Sequence, residues 1–438
     1  MRCKYFCLEQ KLSIEIFMAV SSLAKLIKEE APEAIVERDF KEYSGKKCVI
    51  DGNMIIYRFV LAIMNGPGGE KKTKAGKRCS HIFGIYQKTR QLLKNNMVFS
   101  FCFDGNPPKL KKKTLQERKK NKEKAVERLS KGEFVGDQER VKLMKRTYRP
   151  SGEEIIEVQE LLKLMGIAYI QCVGEADPQC AVTNLVYDAY VVSEDLEDIL
   201  LFGGINILKN FSNKKKVQEV NKDIILNKLK LTHEEFVELG IIIGTDYCPG
   251  IKGINAYQEY YKFKDMEKFL KYIKQKKCEE EAVAQLFPEE VSKIVIPENF
   301  EQKWQEIKEY YLNCEVINPY NIEFLWREPD YQGLKTLLIN KYEFDAELVE
   351  NEIRDLAKLH QFYKAGGFQN NLNFHAFDKQ SSSFSFKEFT SLDTRFRCNE
   401  SWKKTEDLKG NRKYFYKNSR LKHNNTKNIE KCEICENI

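Results

Sequence analysis

Six acidic residues stand where solvent alone does not account for them. Asp51 ends the apolar run Lys47-Cys48-Val49-Ile50, and Asp104 ends Val98 to Phe103. Glu175 and Asp177 come two apart after Gly166 to Cys172. Asp195 follows Ala189 to Val192, and Asp246 follows the strongly apolar Ile241-Ile242-Ile243. In an open α/β sheet the carboxyl ends of the strands face one crevice, so acids at those ends converge. Converging carboxylates repel one another unless a cation compensates. Hard divalent ions with oxygen ligands, chiefly Mg²⁺ or Mn²⁺, suit such a set. Two of them a few ångströms apart can activate a water and stabilise a leaving oxygen in phosphodiester hydrolysis. Singly, each acid reads as a helix N-cap or a loop carboxylate; the set, beside a strongly basic insertion, reads as a site. Other chemistry fares worse. The five histidines fall in no HExxH or other ligand spacing, and neither a GxSxG elbow nor a GxxxxGK[ST] loop occurs.

The elements that must position these acids alternate. Short apolar runs are separated by helical stretches such as His81 to Lys94 and Glu153 to Met165. Ser151 with Glu154, and Thr232 with Glu235, have capping-box spacing at helix starts. This alternation predicts an α/β fold: a central, mostly parallel sheet flanked by helices. Gly66 to Gly69 reads as a loop. Lys109 to Arg149 reads as helix, a break around Gly132 to Gly136, then helix, with too few apolar residues to bury itself. An exposed helical excursion over one edge of the sheet follows. Past about Lys364 the pattern degrades into Gly-, Asn- and Ser-rich stretches, so residues 365–438 are expected to be a basic, loosely ordered tail.

Charge is unevenly placed along the 438 residues. The net charge is +8, yet Lys109 to Arg149 carries 16 Lys or Arg against 6 Asp or Glu. A second basic stretch, Trp402 to Lys431, carries 10 against 3, interleaved with Trp402, Tyr414, Phe415 and Tyr416. Two concentrated runs on an otherwise slightly acidic chain favour a polyanionic partner, because neutralising phosphates releases counterions. No stretch approaches the roughly 18 unbroken apolar residues of a membrane helix, and the first residues lack the apolar segment of a secretory signal. The thirteen scattered cysteines point to reduced thiols in an intracellular protein, not a disulfide scaffold. One CxxC, Cys432 to Cys435, has no second ligand pair in register.

These residues carry a family resemblance. SSLAKLIKEEAPEAI (21–35), VIDGNMIIYRF (49–59), FCFDGNPPKLK (101–111), LLKLMGIAYIQCVGEADPQCA (161–181), VVSEDLEDILLFG (191–203) and LGIIIGTDYCPGIKGI (239–254) resemble the flap endonucleases. That family lies within the structure-specific 5′-nuclease superfamily, and the resemblance covers about residues 18–364. It implies a nuclease core in which Asp51, Asp104, Glu175, Asp177, Asp195 and Asp246 hold two Mg²⁺ ions, with Mn²⁺ as a substitute. Lys111 and Arg118 match basic residues at the base of a helical arch that approach the scissile phosphate. Tyr57 matches an aromatic on which a base near the cleavage point stacks. The segment 109–149 would be the arch through which a 5′ single strand threads. Residues 246–263 would be a helix-hairpin-helix, with Lys252, that grips duplex DNA.

The implied activity is divalent-metal-dependent hydrolysis of phosphodiesters at the base of 5′ flaps in DNA, with 5′→3′ exonuclease activity, in replication and repair. A relative acting on junctions or RNA, or an inert nucleic-acid-binding homologue, shares the same motifs. DNA with a 5′ flap or nick is the expected partner of a monomer without membrane association. The nucleus is the family's default compartment, the cytoplasm that of a virus-encoded copy.

The sequence departs from the family pattern in four places. SEDLEDILLFG is one residue longer, so either Glu197 or Asp198 is the second-metal acid, with Asp198 preferred. Residues 1–17 precede Met18, the family's usual start; either translation begins at Met18 or the extension is accommodated near the site. The hairpin GIKGINAY has Asn255 where a Gly is usual, and Asn tolerates left-handed geometry better than most residues. The box through which relatives bind the sliding clamp is absent, with near misses of wrong spacing at Gln369 and Gln380, so clamp binding is not expected.

Overall fold

The computed structural model describes residues 22–64, 70–212, 215–286 and 294–366, together with the backbone of 402–406 and 412–416. The extension 1–17 with Met18, the loop 66–69, Gln369, Gln380 and the Cys432–Cys435 pair lie outside the described residues.

Seven strands form the central sheet: β1 (Ile35–Arg38), β2 (Lys47–Asp51), β3 (Val98–Phe103), β4 (Tyr169–Gln171), β5 (Tyr190–Val192), β6 (Asn206–Lys209) and β7 (Val217–Asn221). Their order is β1-β7-β6-β5-β2-β3-β4. The run from β6 to β4 is parallel throughout, while β7 and β1 add an antiparallel edge. Ile50 on β2 lies opposite Phe101 on one side and Val192 on the other. The chain runs β2, β3, β4 toward one edge, then returns to lay β5 and β6 on the far side of β2. The order therefore reverses between β2 and β5, which opens a crevice at the carboxyl ends of those strands.

Period-two alternation divides each central strand between two apolar layers. Phe99, Phe101 and Phe103 enter one layer with Cys48 and Ile50, whereas Cys102 and Val49 enter the other. The helices Gly52–Met64, Ser80–Lys94, Gly152–Leu164 and Ala346–Lys364 cover the first face. Those at Leu23–Glu30, Ala176–Tyr187, His233–Ile243 and Phe300–Leu312 cover the second. Both capping boxes form: Ser151 accepts from the Glu154 amide and Thr232 from that of Glu235, with each Glu reaching back.

The excursion over the sheet is two helices, Lys112–Ser130 and Gly136–Thr147, joined by a turn whose Gly132 and Gly136 have φ of 67° and 74°. Only Ala125 of the first helix is buried, and Val135 at the tip is 88% exposed. The run Ile241–Ile243 is the last turn of a helix. It is followed by a small hairpin of β8 (Gly244–Thr245) and β9 (Cys248–Pro249), so Asp246 sits on a turn instead of a sheet strand. In the loop after β9, Asn255 is not left-handed: it has φ −85° and N-caps Ala256–Tyr261 by accepting from the Gln258 amide. The left-handed residue there is Gly253, at φ 82°. Within the segment read as a tail, β11 (Trp402–Glu406) and β12 (Arg412–Tyr416) pair, and β12 adds to β10 (Glu315–Val316). No helix among the described residues is long and apolar enough to cross a membrane.

Candidate active site

Four adjacent parallel strands deliver acids to the crevice. Asp51 is the last residue of β2, Asp104 follows β3, Glu175 comes four residues after β4 and Asp195 three after β5. The helix after β2 begins at once, and the Met54 amide donates to Asp51 Oδ1 at 2.9 Å. Asp51 is buried, and burial followed by the charges of Asp104 and Asp195 pushes its carboxyl up to about 8. Asp104 is solvent-exposed at its surface, yet desolvation by the surrounding protein raises its carboxyl, opposed by the Ala176 N–H that donates to it at 2.8 Å.

That contact depends on a close backbone approach. The Gly105 amide donates to the Gly174 carbonyl at 2.6 Å, and the Asn106 amide to that of Val173 at 3.0 Å. A Cβ at Gly105 would lie 2.1 Å from the Cys172 carbonyl oxygen, so only glycine lets the loop after β3 lie against the loop that carries Glu175.

At the heart of the site, Asp177, Asp195 and Asp198 each offer an oxygen within 4.8 Å of the others. Asp177 enters from the first turn of the helix Ala176–Tyr187, Asp198 from that of Leu196–Leu201. Successive helix residues point about 100° apart; Glu197 and Asp198 both line the cavity beside Asp195 and Asp246, but one of them brings an oxygen within that range of Asp177 and Asp195. It is Asp198; Glu197 instead accepts from the Ala24 amide at 3.1 Å, capping the helix Leu23–Glu30. Burial raises all three carboxyls, followed by the charge of Asp195 for Asp177 and Asp198, and by that of Asp246 for Asp195. Asp177 Oδ1 is buried without a hydrogen-bond partner, an expensive state for a carboxylate oxygen. An oxygen-only donor set, a partnerless buried oxygen and carboxyls that resist ionising together all fit a hard divalent cation, and Asp177, Asp195 and Asp198 are the residues that would hold it.

Basic residues from the arch root close the site from above. Lys111 is buried and ion-paired with Glu175 and, at 2.8 Å, with Asp246. Burial alone would lower its pKa, but these two carboxylates raise it. Arg118, about two helical turns into the arch, donates from one nitrogen, Nη2, to both oxygens of Asp246 at 2.6 and 2.8 Å. Burial would raise Asp246, yet Lys111 and then Arg118 hold its carboxyl below the usual range. Tyr57 lies half-buried on the helix that starts behind Asp51, and Lys252 is exposed in the loop after β9.

Sequence reasoning missed three tyrosines. Tyr247 donates to Glu175 at 2.6 Å and Tyr310 to the same oxygen at 3.2 Å, while Tyr311 donates to Asp198 at 2.6 Å. Tyr247 had a signal, since it directly follows Asp246. Tyr310 and Tyr311 had none, because only the packing of Phe300–Leu312 on the second face brings them to acids more than a hundred residues away.

Comparison with known proteins agrees with this geometry. Residues 18–125 match the family model of the XPG N-terminal domain, and 166–246 that of the XPG I-region. A flap endonuclease 1 from Nematostella vectensis is 33% identical over 346 residues, covering 78% of this chain and 88% of the relative. The solved flap endonuclease-1 from Methanococcus jannaschii has the same fold at a TM-score of 0.53 and 24% identity, over 75% of this chain and 98% of that one. The catalytic core of Rad2, solved in complex with DNA substrate, aligns at 0.55 and 24%, over 75% and 98%. The two matched family regions contain every acid of the crevice, and a relative 33% identical covers 78% of this chain and 88% of its own length: the chain belongs to the flap endonuclease family.

Proposed function

We propose that this protein is a structure-specific 5′-nuclease that hydrolyses phosphodiesters at the base of 5′ flaps in DNA, in replication and repair. One observation carries the reading. Acids from four neighbouring strand ends converge, with Asp177, Asp195 and Asp198 in ligand range of one another, directly beneath a basic arch. A merely binding surface gains nothing from carboxylates that face phosphate.

When bound, a hard divalent ion supplies positive charge that promotes ionisation of water near neutral pH and stabilises a departing oxygen. Mg²⁺ is the proposed ion, two per site, with Asp51, Asp104, Glu175 and Asp246 completing the ligand set. The protein's own residues do the rest. Lys111 and Arg118 exchange their carboxylate partners for the scissile phosphate and stabilise the charge that develops on it, preorganised by the packing that buries Lys111. Tyr247 and Tyr310 keep Glu175 oriented while Lys111 turns to substrate, and Tyr311 does the same for Asp198. Tyr57 stacks on a base beside the cleavage point, and the loop with Lys252 holds the duplex. The arch, with its excess of Lys and Arg, leads the 5′ single strand past the acids. Water is the nucleophile, so no covalent enzyme intermediate forms.

A 5′-labelled flap duplex, incubated with Mg²⁺, tests this with the wild type, Asp104→Ala and Asp195→Ala. Cuts at the flap junction that vanish in both variants are the expected result. Tight binding without cleavage in Mg²⁺ or Mn²⁺ would leave a nucleic-acid-binding homologue. Preferential cleavage of a four-way junction or of RNA in the same series would reassign the substrate.

A further inference from the structure

The arch returns to the body of the protein through residues 148–151, which link its second helix to Gly152–Leu164 and begin with Tyr148 and Arg149. Both meet Tyr57. The rings of Tyr57 and Tyr148 are nearly parallel, 11° apart with centroids at 6.1 Å, and the Arg149 guanidinium lies 5.0 Å from the Tyr57 ring centre. Tyr148 is itself pinned. It is 4% exposed, the Arg78 guanidinium lies 5.4 Å from its ring centre, and its hydroxyl donates to Glu154 at 3.4 Å. Glu154 is in turn fixed by the Ser151 amide at 2.9 Å and by Arg78 at 3.4 Å. Arg149 is tied to the same point, donating to the Tyr148 carbonyl at 2.8 Å.

Tyr57 lies six residues past Asp51 on the helix that starts at that acid, so its backbone has a fixed relation to the site, while the plane of its ring is left to its neighbours. An aromatic ring with a cation over it is also a surface on which a nucleobase stacks favourably. We propose that Tyr148 is a positioning residue that sets the plane of Tyr57, and that Arg149 occupies ring surface which a base takes over when substrate binds. The inference rests on the reading that Tyr57 stacks on a base. Its consequence is that the docking of the arch and the orientation of the nucleotide at the cleavage point are one event. Moving the arch exit moves Tyr148, which turns the surface the base must match.

The test is a double-mutant cycle on the full chain, with 2-aminopurine placed in the substrate strand beside the cleavage position. Fluorescence is read with a chelator present, and cleavage is read with Mg²⁺. Tyr57→Ala is expected to relieve the quenching and to slow cleavage about 5- to 100-fold, the range of one base–aromatic stack. Tyr148→Ala should relieve part of the quenching and slow kcat about threefold to tenfold, a fraction of that stack, with little change in KM. Tyr148→Phe should restore both. In the Tyr57→Ala background, Tyr148→Ala should have no further effect. If Tyr148→Ala does not fold, Tyr148→Leu removes the ring while keeping an apolar side chain and carries the same expectation. Equal losses in both backgrounds would overturn the positioning role while leaving the base stack intact. Unchanged fluorescence and cleavage in Tyr57→Ala would overturn the base stack, and the proposal with it.

Discussion

The acid-lined crevice and the arch above it are built on opposite terms. The helix His233–Ile243 that leads to Asp246 buries Phe236 through Ile242 without a break, whereas the first arch helix buries Ala125 alone. The crevice is held by packing on both faces of a parallel sheet, and its carboxylates are fixed by donors from Met54, Ala176, Tyr247, Tyr310 and Tyr311. The arch is held by its two helices packing together and by ion pairs at its root and near its turn, such as Arg118 with Asp246 and Arg128 with Glu139. Preorganised charge needs a rigid frame, because its benefit is lost if the groups must first rearrange. Capture of a long, charged strand asks for the reverse: an exposed cationic surface whose contacts can be exchanged. On the proposed reading, chemistry and capture are divided between the two regions, and Lys111 belongs to both.

The sharpest way to break this division is to neutralise one acid of the crevice. Asp195→Asn or Asp177→Asn should slow flap cleavage about 10³-fold or more. With a chelator present, either variant should melt at a higher temperature than the wild type, because a mutual repulsion has been removed. A fall in both the rate and the melting temperature would make these acids structural.

Next in size is the shared residue. Lys111→Met should reduce kcat about 10²-fold and destabilise the protein, since Glu175 and Asp246 lose a buried cation. Arg118→Ala, whose side chain is 45% exposed, should cost about tenfold in cleavage with a nearly unchanged melting temperature. Identical outcomes would erase the boundary between the regions.

One substitution made in both places compares the regions directly. Leu239→Ala, in the helix beneath the crevice, should cost about 2–5 kcal/mol by denaturant unfolding. Leu143→Ala, buried in the second arch helix but part of neither central core layer, should change global stability by less than about 1 kcal/mol while raising KM for a flap.

A last test concerns a buried cation remote from the acids. Lys88 lies over Phe40 and Phe211 and donates to the Phe211 carbonyl, and burial pushes its pKa down to about 7. The unfolded chain takes up that proton near pH 10, so between about 7 and 10 it holds more protons than the folded one. Stability should therefore climb from pH 7 toward 10 and be lost on the way back down. Lys88→Met should flatten that part of the melting curve against pH.

Much of this was legible from residue types and local order. The apolar runs ending in Asp51, Asp104 and Asp195 are strands or end at strands because a segment buried on both faces must be apolar, and the acids follow because the crevice lies at strand ends. The two capping boxes and the glycine break of the arch are equally local, as each depends on residues within a turn of one another. Other features could not be read that way. Ile241–Ile243 has the composition of a strand and forms the end of a helix, since a short apolar run carries no period of its own. Between Glu197 and Asp198 the sequence offered only a preference for Asp198, and the packing of the helix Leu196–Leu201 brings that residue within ligand range of Asp177 and Asp195. Tyr310 and Tyr311 reach the acids, and Tyr148 reaches Tyr57, only through packing between segments far apart in the chain. The sequence by itself therefore determined which groups could do chemistry and on which kind of element each lies, because propensity, capping and alternation act over a few residues. The tertiary structure decided which of those groups meet and which hold one another in place, because distance between elements is set by the packing of the whole core.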